Sequence, residues 1–340
     1  MKVGICGYAV YLPYLRISGD EYKKAWGSFS AGGVKEKTVM DFDEDVLTMG
    51  AEAIRKVLGA KQINPAKIDA LSLGSTTFPY DQKVAAGTVA EMIGLRKDLV
   101  VTEHGTSQRA GMEAVLSALV NVEAFGLNYG LGVVSDSPLA EVKNNYEHPF
   151  GAGAAVFLCG KDEVIAEFEG QASFTTELIG DRFRPYGERY LVDIGVANYT
   201  NTAYTTAISE CIKRLLGVLR LTPADYAHLV LPQKDARTPA GLARKAGFSE
   251  EQLKAGLLAT YVGDAGAASP FLGFAGALDA ALPGQRIMVV AYGHGLSATA
   301  TSWRVTEAIN NYPRPVVEPA LNRKQYIDYF RYLKIKRVLV

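Results

Sequence analysis

The chain has 340 residues, 48% of them hydrophobic, with 36 basic and 36 acidic side chains. That size and apolar content support two domains or one doubled unit, and the balanced charge gives no global field to draw in nucleic acid or an anionic membrane. Three scattered cysteines, Cys6, Cys159 and Cys211, with no Cys-x-x-Cys pair and no His pair at helical spacing, argue against a disulfide framework or a zinc site and suit a reducing, cytoplasmic setting.

Val3–Leu12 alternates like a strand and lacks the cleavage pattern of a signal peptide. Acidic residues Asp41, Asp43, Glu44 and Asp45 suit the start of a helix over Val46–Leu58. Ile68–Gly74 reads as a strand, Ala85–Ile93 as a helix, and Leu99–Glu103 as a strand leading into a turn of small residues. The helix after that turn, around Ala114–Leu119, is almost wholly apolar but is interrupted by Asn121 and Glu123, too short to span a bilayer. Tyr129–Ser135, Ala154–Cys159 and Val164–Phe168 are expected strands. Thr202–Leu219 reads as a long amphipathic helix, His228–Leu231 as a strand and Ala240–Ala246 as a helix. An apolar helix over Ser269–Ala281 and a strand over Arg286–Tyr292 follow. The alternation predicts an α/β fold with buried strands.

The turn before the first apolar helix carries the functional question. A helix N-terminus offers free N–H groups and a positive dipole end. Enzymes that form thioesters place a cysteine there, where the thiol pKa falls and the amides bind an oxyanion. This turn holds Ser107, Gln108 and Arg109, and no cysteine lies between Cys6 and Cys159.

The sequence also repeats. Asn64-Pro65-Ala66 before one strand resembles Thr222-Pro223-Ala224 before another, 158 residues on (65 to 223). Val133-Val134-Ser135 resembles Val289-Val290-Ala291 at an offset of 156 (133 to 289). Two segments at nearly one offset predict a duplicated α/β unit, with halves 1–166 and 167–340. The second turn, Val262–Gly266, centres on Asp264. The small residues Gly111, Ala114, Ala118, Gly273 and Gly276 would let the two apolar helices approach face to face. That arrangement resembles the layered α-β-α-β-α fold of the thiolase superfamily.

Several motifs in order carry a closer resemblance. They are Asp43–Met49, Pro79-Tyr80, Gly151–Ala155, Arg184-Pro185-x-Gly187-Glu188-Arg189-Tyr190, Val262–Gly266 and Tyr292-Gly293-His294-Gly295. Together they resemble the hydroxymethylglutaryl-CoA synthase family in its compact archaeal-type form. Within it the chain is similar to the synthase-like subunits of bacterial phloroglucinol acetyltransferase complexes. The resemblance implies a Glu, a Cys and a His in the active centre, working on CoA thioesters. At the matching positions stand Thr76, Gln108 and Pro232. A glutamine forms no thioester, a threonine without a base is a poor acid or base, and proline has no side-chain proton. The resemblance therefore implies a pseudoenzyme subunit. Its partners would be a thiolase-type catalytic subunit and a small zinc-ribbon/OB-fold (DUF35-type) subunit, or a second copy of itself.

Other residues could rewire the site. Ser107 is a candidate nucleophile if His104 turns back to it. His294, in a glycine-rich turn, could act as a base or hold a thioester carbonyl. Gln108 with His294 could support decarboxylation. Asp264 replaces a family Asn that binds a carbonyl; ionised, it would oppose an enolate. His148 and His228 read as structural. No tightly bound cofactor and no metal are expected, since neither Gly-x-Gly-x-x-Gly after a strand nor a Walker loop is present. Arg184, Arg189 and Lys234 are possible contacts for the phosphates of a CoA thioester substrate. The tail Lys324–Lys334 is dense in tyrosine and basic residues, as protein interfaces are.

Overall fold

Residues 3–177, 182–194 and 197–339 are described by the structure, a computed structural model. In chain order the first half holds β1 (Gly4–Tyr11), β2 (Leu15–Ser18), α1 (Gly19–Trp26), β3 (Glu36–Val39), α2 (Val46–Lys61), β4 (Ile68–Gly74), α3 (Ala85–Ile93), β5 (Val100–His104), α4 (Ala110–Ala124), β6 (Tyr129–Asp136) and β7 (Gly153–Gly160). Next come β8 (Ala166–Thr175), β9 (Arg182–Phe183), β10 (Val192–Asp193), α5 (Ala197–Leu219), β11 (His228–Val230), α6 (Thr238–Lys245), α7 (Glu250–Lys254), α8 (Ala259–Val262) and α9 (Ser269–Ala280). The chain ends with β12 (Arg286–Gly293), β13 (Ser297–Val305), α10 (Val317–Asn322), β14 (Gln325–Tyr326) and α11 (Tyr329–Ile335).

Local chemistry accounts for the boundaries. The Asp45 carboxylate caps α2, accepting the N–H groups of Leu47 at 2.9 Å and Thr48 at 2.8 Å. β8 runs seven residues beyond the expected Phe168, because Glu169, Gln171 and Ser173 alternate with Gly170, Ala172 and Phe174 at the period of a strand with one wet face.

Nine strands form one mixed sheet in the order β11-β12-β13-β8-β1-β7-β6-β4-β5. The predicted duplication is visible in it. In the first half β4 is parallel to β6, β6 antiparallel to β7, and β7 antiparallel to β1. In the second, β11 is parallel to β12, β12 antiparallel to β13, and β13 antiparallel to β8. The two sets meet at a short seam where Gly4 pairs with Glu167 and Ile5 with Ala166.

Helices fill three layers around this sheet. α4 and α9 lie in the middle, where Met112, Val115 and Ala118 share a core with Phe271, Phe274 and Leu278 and with strand residues of both halves, among them Phe157 and Trp303. α2 and α3 cover the outer face of the first half through Ile54, Val57 and Val89. α5 and α6 cover the second half through Ile208, Leu215 and Leu242. Gly111 allows the close approach expected of it: a Cβ there would stand 2.6 Å from the Ala267 carbonyl oxygen. Gly273 and Gly276 do a different job from the one expected, since they face the carbonyls of Gly256 and Ala255 in the segment after α7.

A small satellite unit was not foreseen. β3 and β14 flank β2, and α1 and α11 pack Tyr22 and Tyr332 against Leu15, Ile17 and Val39. The tail therefore folds onto its own chain. Tyr332 is fully buried and donates its hydroxyl to Glu147, whose carboxylate also takes the Lys37 ammonium at 2.9 Å. Tyr326 and Phe330 remain exposed. Among the described residues no helix is long and apolar enough to cross a membrane.

Candidate active site between the two buried helices

Gln108 lies in the turn before α4, and Asp264 in the turn before α9. The duplication brings these turns to one place. They line a narrow cavity together with Pro232, Gln233 and Lys234 after β11, Tyr292 and His294 at the end of β12, Tyr204 from α5, and Gly266 and Pro270. Its volume is ≈ 20 Å³, room for about one water molecule.

Asp264 is 3% exposed, and its Oδ1 accepts the Gly266 N–H at 2.9 Å. Burial raises its carboxyl pKa to about 7, and the neighbouring Asp136 and Asp235 add to the rise, against the Gly266 hydrogen bond and the Arg182 guanidinium. The protonated form, able to donate a hydrogen bond, is thereby brought within reach near neutral pH. His294 packs edge-on to Tyr292, centroids 5.4 Å apart.

Thr76 does not line the cavity. Its hydroxyl donates to Asp136 Oδ2 at 2.8 Å, so it has a carboxylate neighbour that the sequence did not reveal. Asp136 is fully buried and also accepts the Thr77 hydroxyl at 2.7 Å, the Thr76 N–H at 3.1 Å and, across the halves, the Ala267 N–H at 2.8 Å. Gly266 (φ 55°) permits this crossing, because a Cβ there would collide with the Asp136 carboxylate.

Ser107 is pressed against Gly293, where any Cβ would overlap its hydroxyl oxygen, and that oxygen accepts the Arg109 N–H at 3.2 Å. No hydrogen bond joins Ser107 to His104. The His104 Nε2 is buried without a partner, and burial lowers the ring's pKa. A serine nucleophile lacks its base here. The N-cap of α4 is Arg109, which makes no side-chain cap hydrogen bond, and among the described residues no hydrogen bond ties the Gln108 amide to the helix N–H groups. All three cysteines are buried. Burial pushes Cys6 and Cys211 up to about 12 and Cys159 well above the ordinary thiol range. None supplies a thiolate near neutral pH.

Of the three cations considered for a CoA thioester, Lys234 lines the cavity with its ammonium 5.3 Å from the Tyr204 ring centre. Arg184 donates to the Thr76 carbonyl at 2.9 Å, and Arg189 to the Lys336 carbonyl at 3.4 Å. No cluster of three or more His, Cys, Asp or Glu able to hold a metal occurs among the described residues.

No protein-family model matches the sequence. The hydroxymethylglutaryl-CoA synthase of Methanopyrus kandleri is 34% identical, covering 99% of this chain and 98% of its own length. That of Methanocaldococcus jannaschii is also 34% identical, covering 98% of each. The chain belongs to the hydroxymethylglutaryl-CoA synthase family. The fold agrees with solved synthases of low identity. MvaS in complex with 3-hydroxy-3-methylglutaryl coenzyme A superposes with a TM-score of 0.89 at 20% identity, over 99% of this chain and 92% of that one. The curacin-pathway HMG synthase in complex with an acetyl donor carrier protein gives 0.87 at 17%, over 98% and 88%.

Within this synthase fold, Gln108, Pro232, Asp264 and His294 come together, while Thr76 and Ser107 stand behind the cavity wall. Sequence reasoning missed Tyr204, Tyr292 and Asp136. Asp136 had a signal: an acid ending an apolar strand, at the carboxyl edge where α/β folds place their sites. Tyr204 had none, for among Ala203, Ala207 and Ile208 it reads as one more core residue.

Proposed function

We propose that this chain is a non-catalytic synthase-like subunit of a heteromeric thiolase-type acyltransferase or carbon–carbon bond-forming complex acting on acyl-CoA thioesters. The observation that carries this reading is that no cysteine stands at the mouth of α4, where Gln108 lies, and that all three cysteines are buried elsewhere. A thiolase-type subunit and a small zinc-ribbon/OB-fold subunit would supply the chemistry and the acyl channel. The chain would hold them from a cytoplasmic assembly. The test is incubation with acetyl-CoA or acetoacetyl-CoA followed by intact-mass measurement. The chain should gain no acyl mass. Acyl mass that disappears in Ser107→Ala or His294→Ala would overturn the reading and favour a rewired condensing, acyl-transfer or decarboxylating enzyme. That alternative draws support from Asp264 and His294 lining one cavity, with the Asp264 pKa raised to about 7. Gln108→Cys should restore a thiol in a pKa-lowering position. It should not condense, since Thr76 and Pro232 supply neither acid–base nor orienting chemistry.

Association is expected through β5. This strand ends the sheet, and its outer edge has no partner strand among the described residues. The apolar stretch Tyr129–Ser135 lies inside the sheet between β4 and β7 and is not part of that edge. Sedimentation at micromolar concentration should show a homodimer, or a heterodimer once a thiolase-type partner is added. A lone monomer in both samples would count against this.

A further inference from the structure

The substitutions at Thr76, Gln108 and Pro232 remove chemistry from the pocket, but they do not explain its size. A cavity of ≈ 20 Å³ holds about one water and no acyl group. The large aromatic side chain that α5 contributes to its wall is Tyr204. Tyr204 is 3% exposed and packs edge-on to Tyr292, centroids 5.3 Å apart. The Lys234 ammonium stands 5.3 Å from its ring centre, and its hydroxyl donates to the Pro232 carbonyl. An edge-to-face ring contact, a cation over the ring and a buried hydrogen bond all favour one rotamer. The hydroxyl ends on Pro232 itself, the position where the family resemblance puts the histidine that orients the second acyl substrate.

We infer that Tyr204 is the residue that shuts the acyl-binding cavity, excluding acyl groups by bulk. This rests on the non-catalytic reading above and adds that the exclusion is steric as well as chemical. A smaller side chain at this position opens a pocket at the junction of Gln108, Asp264, Tyr292 and His294. Such holes persist because the surrounding core relaxes only in part.

The experiment uses acetyl-CoA as probe and saturation-transfer NMR on the full chain, reading the acetyl methyl against the adenine protons. In the parent protein and in Tyr204→Phe, which keeps the ring, the methyl should receive no transfer. In Tyr204→Ala, and in Tyr204→Leu should the alanine variant fold poorly, the methyl should light up. Titration should then favour acetyl-CoA over CoA by about fourfold, the worth of one buried methyl-sized group. Equal methyl transfer in parent and alanine variants would overturn the inference, as would its absence from both smaller variants or its presence in Tyr204→Phe. Acyl mass on the parent chain is a separate outcome; it sinks the non-catalytic reading instead.

Discussion

Asp136→Ala should cost about 3 kcal/mol or more of stability, because several buried donors lose their acceptor at once and each one left unpaired costs about 1–3 kcal/mol. The Asp136 side chain is fully buried and gathers hydroxyls from Thr76 and Thr77 and N–H groups from Thr76 and Ala267. Each hydrogen bond to a charged acceptor contributes about 1.5–3 kcal/mol. Their sum is not the expected loss, because removing the carboxylate also removes its own desolvation cost. What remains is a set of buried donors with nothing to meet. Asp136→Asn should lose less, since one oxygen still accepts while its NH₂ faces donors. The measurement is the urea midpoint with the slope held constant. An alanine variant within about 0.5 kcal/mol of the parent, the scale of an ordinary surface change, would show that the network does not tie the halves together.

Asp264→Asn should act in the opposite direction, and only at higher pH. The Asp264 carboxyl pKa is raised from 3.8 to about 7 in the folded chain, so folding favours its protonated form. The associated stability is fully present below about pH 4 and is lost as pH rises through about 7. Asparagine resembles the neutral carboxyl, keeps an oxygen for the Gly266 N–H and does not ionise. At about pH 8 the variant should therefore be more stable than the parent, by at most about 4 kcal/mol at 1.36 kcal/mol per pKa unit. Below about pH 4 the two should coincide. Urea midpoints of both proteins across this window check it. Parallel curves would mean that Asp264 titrates normally and sits wetter than its burial indicates.

The two substitutions also separate two kinds of buried acid. Asp136 accepts several hydrogen bonds; Asp264 accepts one N–H, and burial with two acidic neighbours outweighs the Arg182 guanidinium. Which carboxylate received the donors is a matter of geometry that residue type does not encode.

Sequence by itself determined the α/β alternation, the duplication, the two buried helices and the positions Gln108, Pro232, Asp264 and His294. These are legible because apolar periodicity, the Pro-Ala strand openings and the glycine-rich turns are local signals that survive without knowledge of neighbours. Only the tertiary structure decided the rest. The tail docks on α1 because Tyr332 finds Glu147 some 185 residues away, a pairing with no trace in local pattern. Thr76 gains a carboxylate because β4 and β6 are parallel neighbours that end side by side. Tyr204 closes the cavity because α5 packs across β12 and β13, which carries one ring out of an ordinary core stripe to the Pro232 carbonyl. In each case the deciding quantity is a distance between residues far apart in the chain, and packing alone sets it.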